Sequence, residues 1–319
     1  MTRRGQGLGK RRGAALLGAA LLAGVAPARG GDQVVPRFST RTDLVVLSAI
    51  AMDRHGRPVT DLRRNEFSVQ EDGRPQAIQH FSEGRESPAR VLLLVDASGS
   101  MSTTPRTSSP VMAARQLLYA LDPTDQIALA GFDYHYFGVV PFTTDHAQIL
   151  RGFSELQPFG STALHDALDR ASSDLASHGE GRRAVVVVTD GIDTSSTQKA
   201  EDVIARSRAL DVPIYAISVV SPIDDPRSEQ FAGRARPAAA TKGSVVLARY
   251  ADMSGGAAFV VSDFSGLKQA TDTIVGELKH QYRLGYDPPP GPSGFRRVQV
   301  TTTRKGVSVK TRSGYVPQS

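Results

Sequence analysis

Hydrophobic positions along this chain fall into two textures. From Leu44 to Phe81 they are β-like: Leu44 to Met52 is apolar, Phe67 and Val69 are two positions apart, and Ile78 follows beyond Asp72-Gly73. Asp-Gly between such segments predicts a hairpin, because both residues tolerate the positive φ that a tight turn needs. The far end repeats the texture, with Tyr282-Arg-Leu-Gly-Tyr286, then Val298 and Val300, then Val307 and Val309 after Arg304-Lys305-Gly306. Two strand-rich ends around a different middle predict one small β domain assembled from residues 29–88 and 282–319.

The middle, residues 89–281, alternates short apolar runs with helical patterns. Val91 to Val95, Ile127 to Phe132, Val185 to Thr189, Ile214 to Val220 and Ala258 to Val261 are nearly continuous in apolar character. That is the mark of strands buried on both faces. Between them, Ser109-Pro110 offers an N-cap and a proline at the first helical position before Met112 to Leu121. Leu164, Leu168, Ala171 and Leu175 recur at helical spacing, as do Ala200, Val203, Ile204 and Leu210, and Leu267, Ala270, Ile274 and Leu278. Alternating strand and helix predicts an α/β fold, a doubly wound and mostly parallel sheet covered on both faces. Ser221 to Ser244, rich in Pro, Ala, Arg and Gly, reads as an exposed, mobile insertion, and Ser102 to Ser109 as a loop.

Charge changes the picture only once it is located. The net charge of +6 over 319 residues falls to +1 when residues 1–28 are set aside, since that stretch holds five of the basic residues and no acid. Its basic leader, its apolar segment Ala14 to Val25 and the small residues Ala26-Pro27-Ala28 predict a cleaved secretory signal. The arginine pairs also permit a twin-arginine route. A nearly neutral remainder without a basic, aromatic-rich patch argues against nucleic-acid binding. Complete absence of cysteine excludes disulfides, thiolate zinc sites and a thiol nucleophile. No later segment is apolar over a bilayer's thickness, so no integral membrane segment is expected after signal cleavage.

Candidate chemistry gathers at three places where strands should end. Asp96-Ala-Ser98-Gly-Ser100 follows Val91 to Val95, Thr189-Asp190-Gly191 follows the third run, and Gly160-Ser161-Thr162 stands before the helix that begins at Ala163. Open α/β sheets bind ligands outside the carboxyl ends of their strands. One carboxylate and two hydroxyls in a loop suit Mg²⁺, which takes oxygen ligands, keeps several waters and prefers an octahedral shell. Each piece alone has a structural reading: Asp96, Ser98 and Ser100 as a turn, Thr162 as a helix cap, Asp190 as part of a Thr-Asp-Gly turn. Asp193 reads as a solvated loop residue and His165 as a helix-surface residue; Asp125 and Asp133 have weaker claims still.

Taken together, Asp96, Ser98, Ser100, Thr162 and Asp190 resemble the metal-ion-dependent adhesion site of a von Willebrand factor A domain. Val59-Thr-Asp-Leu62, Asn65-Glu-Phe67, Glu71-Asp-Gly73-Arg-Pro75, Tyr282-Arg-Leu-Gly-Tyr286 and Arg312-Ser-Gly-Tyr315 resemble the two ends of a bacterial family of exported proteins related to that domain. The resemblance implies that Ser98, Ser100 and Thr162 coordinate the ion by hydroxyl oxygen and that Asp96 and Asp190 hold it directly or through water. The ion implied is Mg²⁺, with Mn²⁺ or Ca²⁺ as alternatives. The partner implied is a protein presenting Asp or Glu. Two other functions remain open: a scaffold whose metal only braces the loops, and a metal-dependent hydrolase. The hydrolase lacks an H-E-x-x-H, P-loop or G-x-S-x-G motif, and the chain is expected to be no enzyme.

Overall fold

The computed structural model describes residues 44–83, 88–99, 101, 109–179, 181–219, 242–291 and 294–317. The predicted signal, Ser100, most of the loop from Ser102 and nearly all of the predicted insertion lie outside these residues. Fourteen strands and six α-helices are assigned among the described residues.

At the centre is a six-stranded sheet made of β5 (Arg90–Asp96), β6 (Gln126–Phe132), β7 (Tyr136–Thr143), β8 (Arg183–Thr189), β9 (Ile214–Val219) and β10 (Ala258–Val261). Its order is β10-β9-β8-β5-β6-β7, and every pairing is parallel except that of β6 with β7. The continuous apolar runs exist because both faces are covered. Successive side chains on a strand point to opposite faces. Val91, Leu93 and Val95 pack with α1 (Pro110–Ala120) and α6 (Phe264–Lys279) through Leu117, Leu267 and Ile274. Leu92 and Leu94 pack the other way, with Leu168 of α3 (Leu164–Ser177), Val203 of α4 (Ala200–Ala209) and Leu247 of α5 (Lys242–Ser254). The predicted start of α1 holds: Ser109 is its N-cap, with Pro110 in the first turn.

Three elements were not foreseen. β7 is a half-buried antiparallel edge strand, and α2 (His146–Gly152) is a seven-residue helix whose N-cap Asp145 accepts from Ala147 N at 2.9 Å. The third is α5. The predicted insertion was expected to reach Ser244, yet Gly243 and Ser244 are buried in the first turns of this helix. Glycine here answers a close approach, since a Cβ on Gly243 would lie 2.5 Å from the carbonyl of Gly191. The composition that resembles a loop is the composition a tight helix–loop contact requires.

The strand-rich ends pair with each other as expected. One antiparallel sheet has the order β13-β1-β11-β4, from β1 (Val45–Asp53), β4 (His80–Glu83), β11 (Tyr282–Tyr286) and β13 (Val307–Thr311). A second has the order β14-β12-β2-β3, from β2 (Phe67–Glu71), β3 (Arg74–Gln76), β12 (Arg296–Thr302) and β14 (Gly314–Tyr315). Asp72 and Gly73 have φ of 48° and 78°, the hairpin geometry their identities predict. Leu47, Val69, Leu284 and Val300 share one core between the two sheets. Arg312 donates to Arg208 O and Val46 O, and Lys310 pairs with Glu277, so the last strand region is tied to α4 and α6.

A buried carboxylate anchors that core. Glu71 is 3% exposed; its Oε2 accepts from Tyr286 Oη at 2.7 Å and Tyr315 Oη at 2.8 Å, and its Oε1 from Arg296 at 2.8 Å. Burial and the adjacent carboxylate push the Tyr315 phenol up to about 12, so it stays a neutral donor. Removing one partner of a buried ion pair costs more than the pair's net worth, because the other charge is stranded. Glu71→Ala is therefore expected to lose about 3–5 kcal/mol of unfolding free energy, and Tyr286→Phe about 1.5–3 kcal/mol. Urea unfolding of both variants checks the order; equal losses would mean that Arg296 is solvated.

Candidate metal centre

The candidate residues stand at the carboxyl ends of β5 and β8. Asp96 closes β5 and is 2% exposed. Its Oδ1 accepts from Ser98 N at 2.9 Å, and its Oδ2 accepts from Thr189 Oγ1 at 2.5 Å. The Thr189 hydroxyl in turn accepts from Gly191 N at 2.9 Å, so one side chain joins the two strand ends and sets the turn that carries Asp190. Ser98 and Thr162 are buried, while Asp190 is half-buried and accepts from Ile192 N at 3.1 Å.

Backbone bonds hold the third loop against the first two. Phe159 N donates to Ala97 O at 2.8 Å, and Gly99 N to Gly160 O at 3.3 Å. Thr162 is fixed through its backbone: its N–H donates to Thr194 Oγ1 at 2.8 Å, and its carbonyl accepts from Thr194 N at 2.8 Å and Ser195 N at 3.1 Å. Asp96, Ser98, Thr162 and Asp190 are thus placed on three mutually bonded loops. Ser100 lies outside the described residues.

Burial pushes the Asp96 carboxyl up from the ordinary carboxylate range, and the neighbouring charge of Asp190 adds to the rise; hydrogen bonds from Ser98 and Thr189 oppose it. A carboxylate in such a place is favoured in its charged form by a cation. Among the described residues no three of His, Cys, Asp and Glu are placed to hold a metal ion, so the further donors these residues offer beside the two carboxylates are hydroxyls and carbonyls. Two carboxylates with alcohol oxygens and no thiol or imidazole fit a hard divalent cation of the Mg²⁺ class. Asp96, Ser98, Thr162 and Asp190 are the side chains that could hold it.

A supporting set escaped sequence reasoning. Thr162 does not cap α3; the N-cap position is Ala163, and the cap comes from a distant loop. Ser196 Oγ accepts from His165 N at 2.9 Å and Asp166 N at 3.3 Å, and donates to Asp193 Oδ1 at 2.5 Å. Asp166 returns the bond, accepting from Thr197 N at 2.9 Å and Gln198 N at 3.0 Å. His165 is not a surface residue: its Nδ1 lies 3.1 Å from Tyr250 Oη on α5, and its side chain is 13% exposed. Asp193 is likewise engaged rather than freely solvated. Asp125 is remote from the site and structural, accepting from Ala89 N at 2.7 Å and Asp122 N at 3.0 Å. The repeated hydroxyls of Thr194-Ser-Ser-Thr197 were the available signal.

Fold and loop placement define an α/β domain with an oxygen-lined site at its strand ends. Residues 91–192 match the family model of the von Willebrand factor type A domain. A UPF0353 protein of Mycolicibacterium paratuberculosis is 26% identical over 216 residues, covering 62% of this chain and 61% of that relative. Among solved structures, an aerotolerance-related membrane protein from Bacteroides fragilis is 18% identical with a TM-score of 0.47, covering 60% of this chain and 98% of the other. A von Willebrand factor type A protein from Catenulispora acidiphila is 15% identical, also with a TM-score of 0.47, covering 79% of this chain and 73% of its own.

The contact between the Asp190 turn and α5 is open to a direct test. Gly191 has φ of 82°, and a Cβ there would lie 2.8 Å from the Gly243 backbone. Gly191→Ala is expected to destabilise the fold by more than about 1 kcal/mol, since strain and overlap act together. Thermal unfolding checks this; an unchanged midpoint would show that the turn is free of α5.

Proposed function

We propose that this chain is an exported, non-enzymatic interaction protein that binds a protein partner through a divalent cation held by Asp96, Ser98, Ser100, Thr162 and Asp190. The observation that carries the reading is the gathering of Asp96, Ser98, Thr162 and Asp190 on three mutually bonded loops at the strand ends. Mg²⁺ is the ion assigned, with Mn²⁺ and Ca²⁺ as alternatives. When bound, the cation supplies a Lewis-acidic position that an Asp or Glu of the partner can occupy. The protein's own residues do the rest. Asp96 and Asp190 roughly balance the ion's charge, so an incoming carboxylate meets no large negative excess, and the buried hydroxyls leave the outward side to the partner.

The non-enzymatic reading rests on roles already filled. Ser98 and Ser100 as cation ligands are poor nucleophiles. His165, the histidine nearest the site in sequence, faces Tyr250 and Asp193 rather than a candidate nucleophile. Export rests on residues 1–28; in the described part, no helix is long and apolar enough to cross a membrane.

A second reading, in which the ion only braces the loops, is favoured by the burial of the Asp96 carboxylate, whose charge a cation offsets whether or not a partner is bound. Partner capture separates the two. The chain without residues 1–28 is expected to retain a partner from an exported-protein extract in Mg²⁺, to release it with chelator, and to lose it in Asp190→Ala, whose thermal midpoint stays within a few degrees. If chelator lowers the midpoint while the partner stays bound, the ion is a brace. Chelator-sensitive hydrolysis of phosphoester or peptide substrates, lost in the same variant, would instead make the chain an enzyme.

A further inference from the structure

Three large apolar side chains stand exposed around the candidate cation site, each from a different loop. Phe159 is 73% exposed, Tyr134 60% and Ile192 54%. Single exposed apolar residues are ordinary on a protein surface, but apolar groups drawn to one place mark contact sites.

Their placement is fixed by the same bonds that build the site. Phe159 N donates to Ala97 O, between Asp96 and Ser98. Tyr134 follows Asp133, whose carbonyl accepts from Ala163 N at 2.6 Å, next to Thr162; its ring lies 3.8 Å from where a Gly160 Cβ would stand. Ile192 donates its N–H to the Asp190 carboxylate. Each apolar residue therefore lies within one to three residues of a candidate ligand, or is bonded beside one. Tyr134 is further backed by His135 and Phe137, with ring centroids 4.4 and 5.5 Å apart along the row.

Among the described residues, Asp133 and Asp193, two acids near the site outside the proposed ligand set, are engaged. Asp133 accepts from His135 N at 3.0 Å and pairs with the His135 ring at 2.9 Å, and Asp193 is held by Ser196 and His165. Among the described residues, the centre of this face is then a cation bordered by three exposed apolar side chains, with the neighbouring carboxylates of Asp133 and Asp193 already bonded. Its complement is one carboxylate with apolar side chains on either side, since a bare or multiply charged acidic segment would leave the surround wet.

Resting on the proposed cation site, we infer that Tyr134, Phe159 and Ile192 form the specificity rim of that site, and that the partner is an extended protein segment carrying one Asp or Glu flanked by large apolar residues.

The test is selection from a displayed library of random peptides on the immobilised chain without residues 1–28, in Mg²⁺, with elution by chelator. The expected pool centres on a single Asp or Glu with apolar neighbours. A synthetic peptide from that pool is expected to lose at least tenfold in affinity for the triple variant Tyr134→Ser, Phe159→Ser, Ile192→Ser. The same peptide with its acid changed to amide should lose metal-dependent binding to the unaltered chain. Because all three sites are exposed, the thermal midpoint of the triple variant should be unchanged. An acid-centred pool without apolar neighbours, or a triple variant within twofold of the original, overturns the rim while leaving the cation site standing. A chelator eluate with no enriched sequence overturns both. Sedimentation with phosphatidylglycerol vesicles, lost in the triple variant while no peptide is selected, would make the rim a lipid contact and overturn the peptide assignment.

Discussion

Burying the carboxylate of Asp96 at the end of a central strand constrains everything near it. A charged group out of water is costly unless donors or a cation meet it. The chain brings donors from two directions: Ser98 N from the following turn and the Thr189 hydroxyl from the neighbouring strand. Meeting that demand joins β5 to β8 and fixes the turn bearing Asp190. It also leaves a carboxylate whose burial favours a further positive partner.

The surrounding structure holds those loops on rigid elements, as a binding site of oxygen ligands requires. The β8 loop caps α3 through Ser196, and α3 answers through Asp166. Gly191 and Gly243 let the same loop touch α5 at a separation no side chain would permit. Tyr250 of α5 reaches back to His165 on α3. The antiparallel sheets from the two ends of the chain carry their own buried anchor at Glu71 and connect to α4 and α6 through Arg312 and Lys310. The proposed contact face is therefore assembled from loops, while its supports are strands and helices with apolar cores.

Much of this was legible along the chain, for identifiable physical reasons. The five parallel strands appear as apolar runs because both faces of the sheet are covered, and Asp72-Gly73 and Ser109-Pro110 mark a turn and a helix start by their backbone preferences. The spacing of Asp96, Ser98, Thr162 and Asp190 made sense only once the strand ends were assumed to lie side by side. What stayed hidden depends on partners remote in sequence. Thr189 meets Asp96 across 93 positions, and Ser196 meets His165 across 31, so neither bond leaves a local trace. The first turn of α5 was concealed by the very glycine its packing needs, and β7 by the weak alternation of a half-buried edge strand.

The central claim is that a divalent cation sits among the oxygens of three loops. The most direct measurement is anomalous diffraction from crystals of the chain without residues 1–28 grown with Mn²⁺. The expected result is one strong peak within bonding distance of the Ser98, Ser100 and Thr162 hydroxyls, with Asp96 and Asp190 bonded to it directly or through water, and no such peak in Asp190→Ala. A well-ordered site with these side chains in place and no peak, at a Mn²⁺ concentration that saturates solution binding, would contradict it.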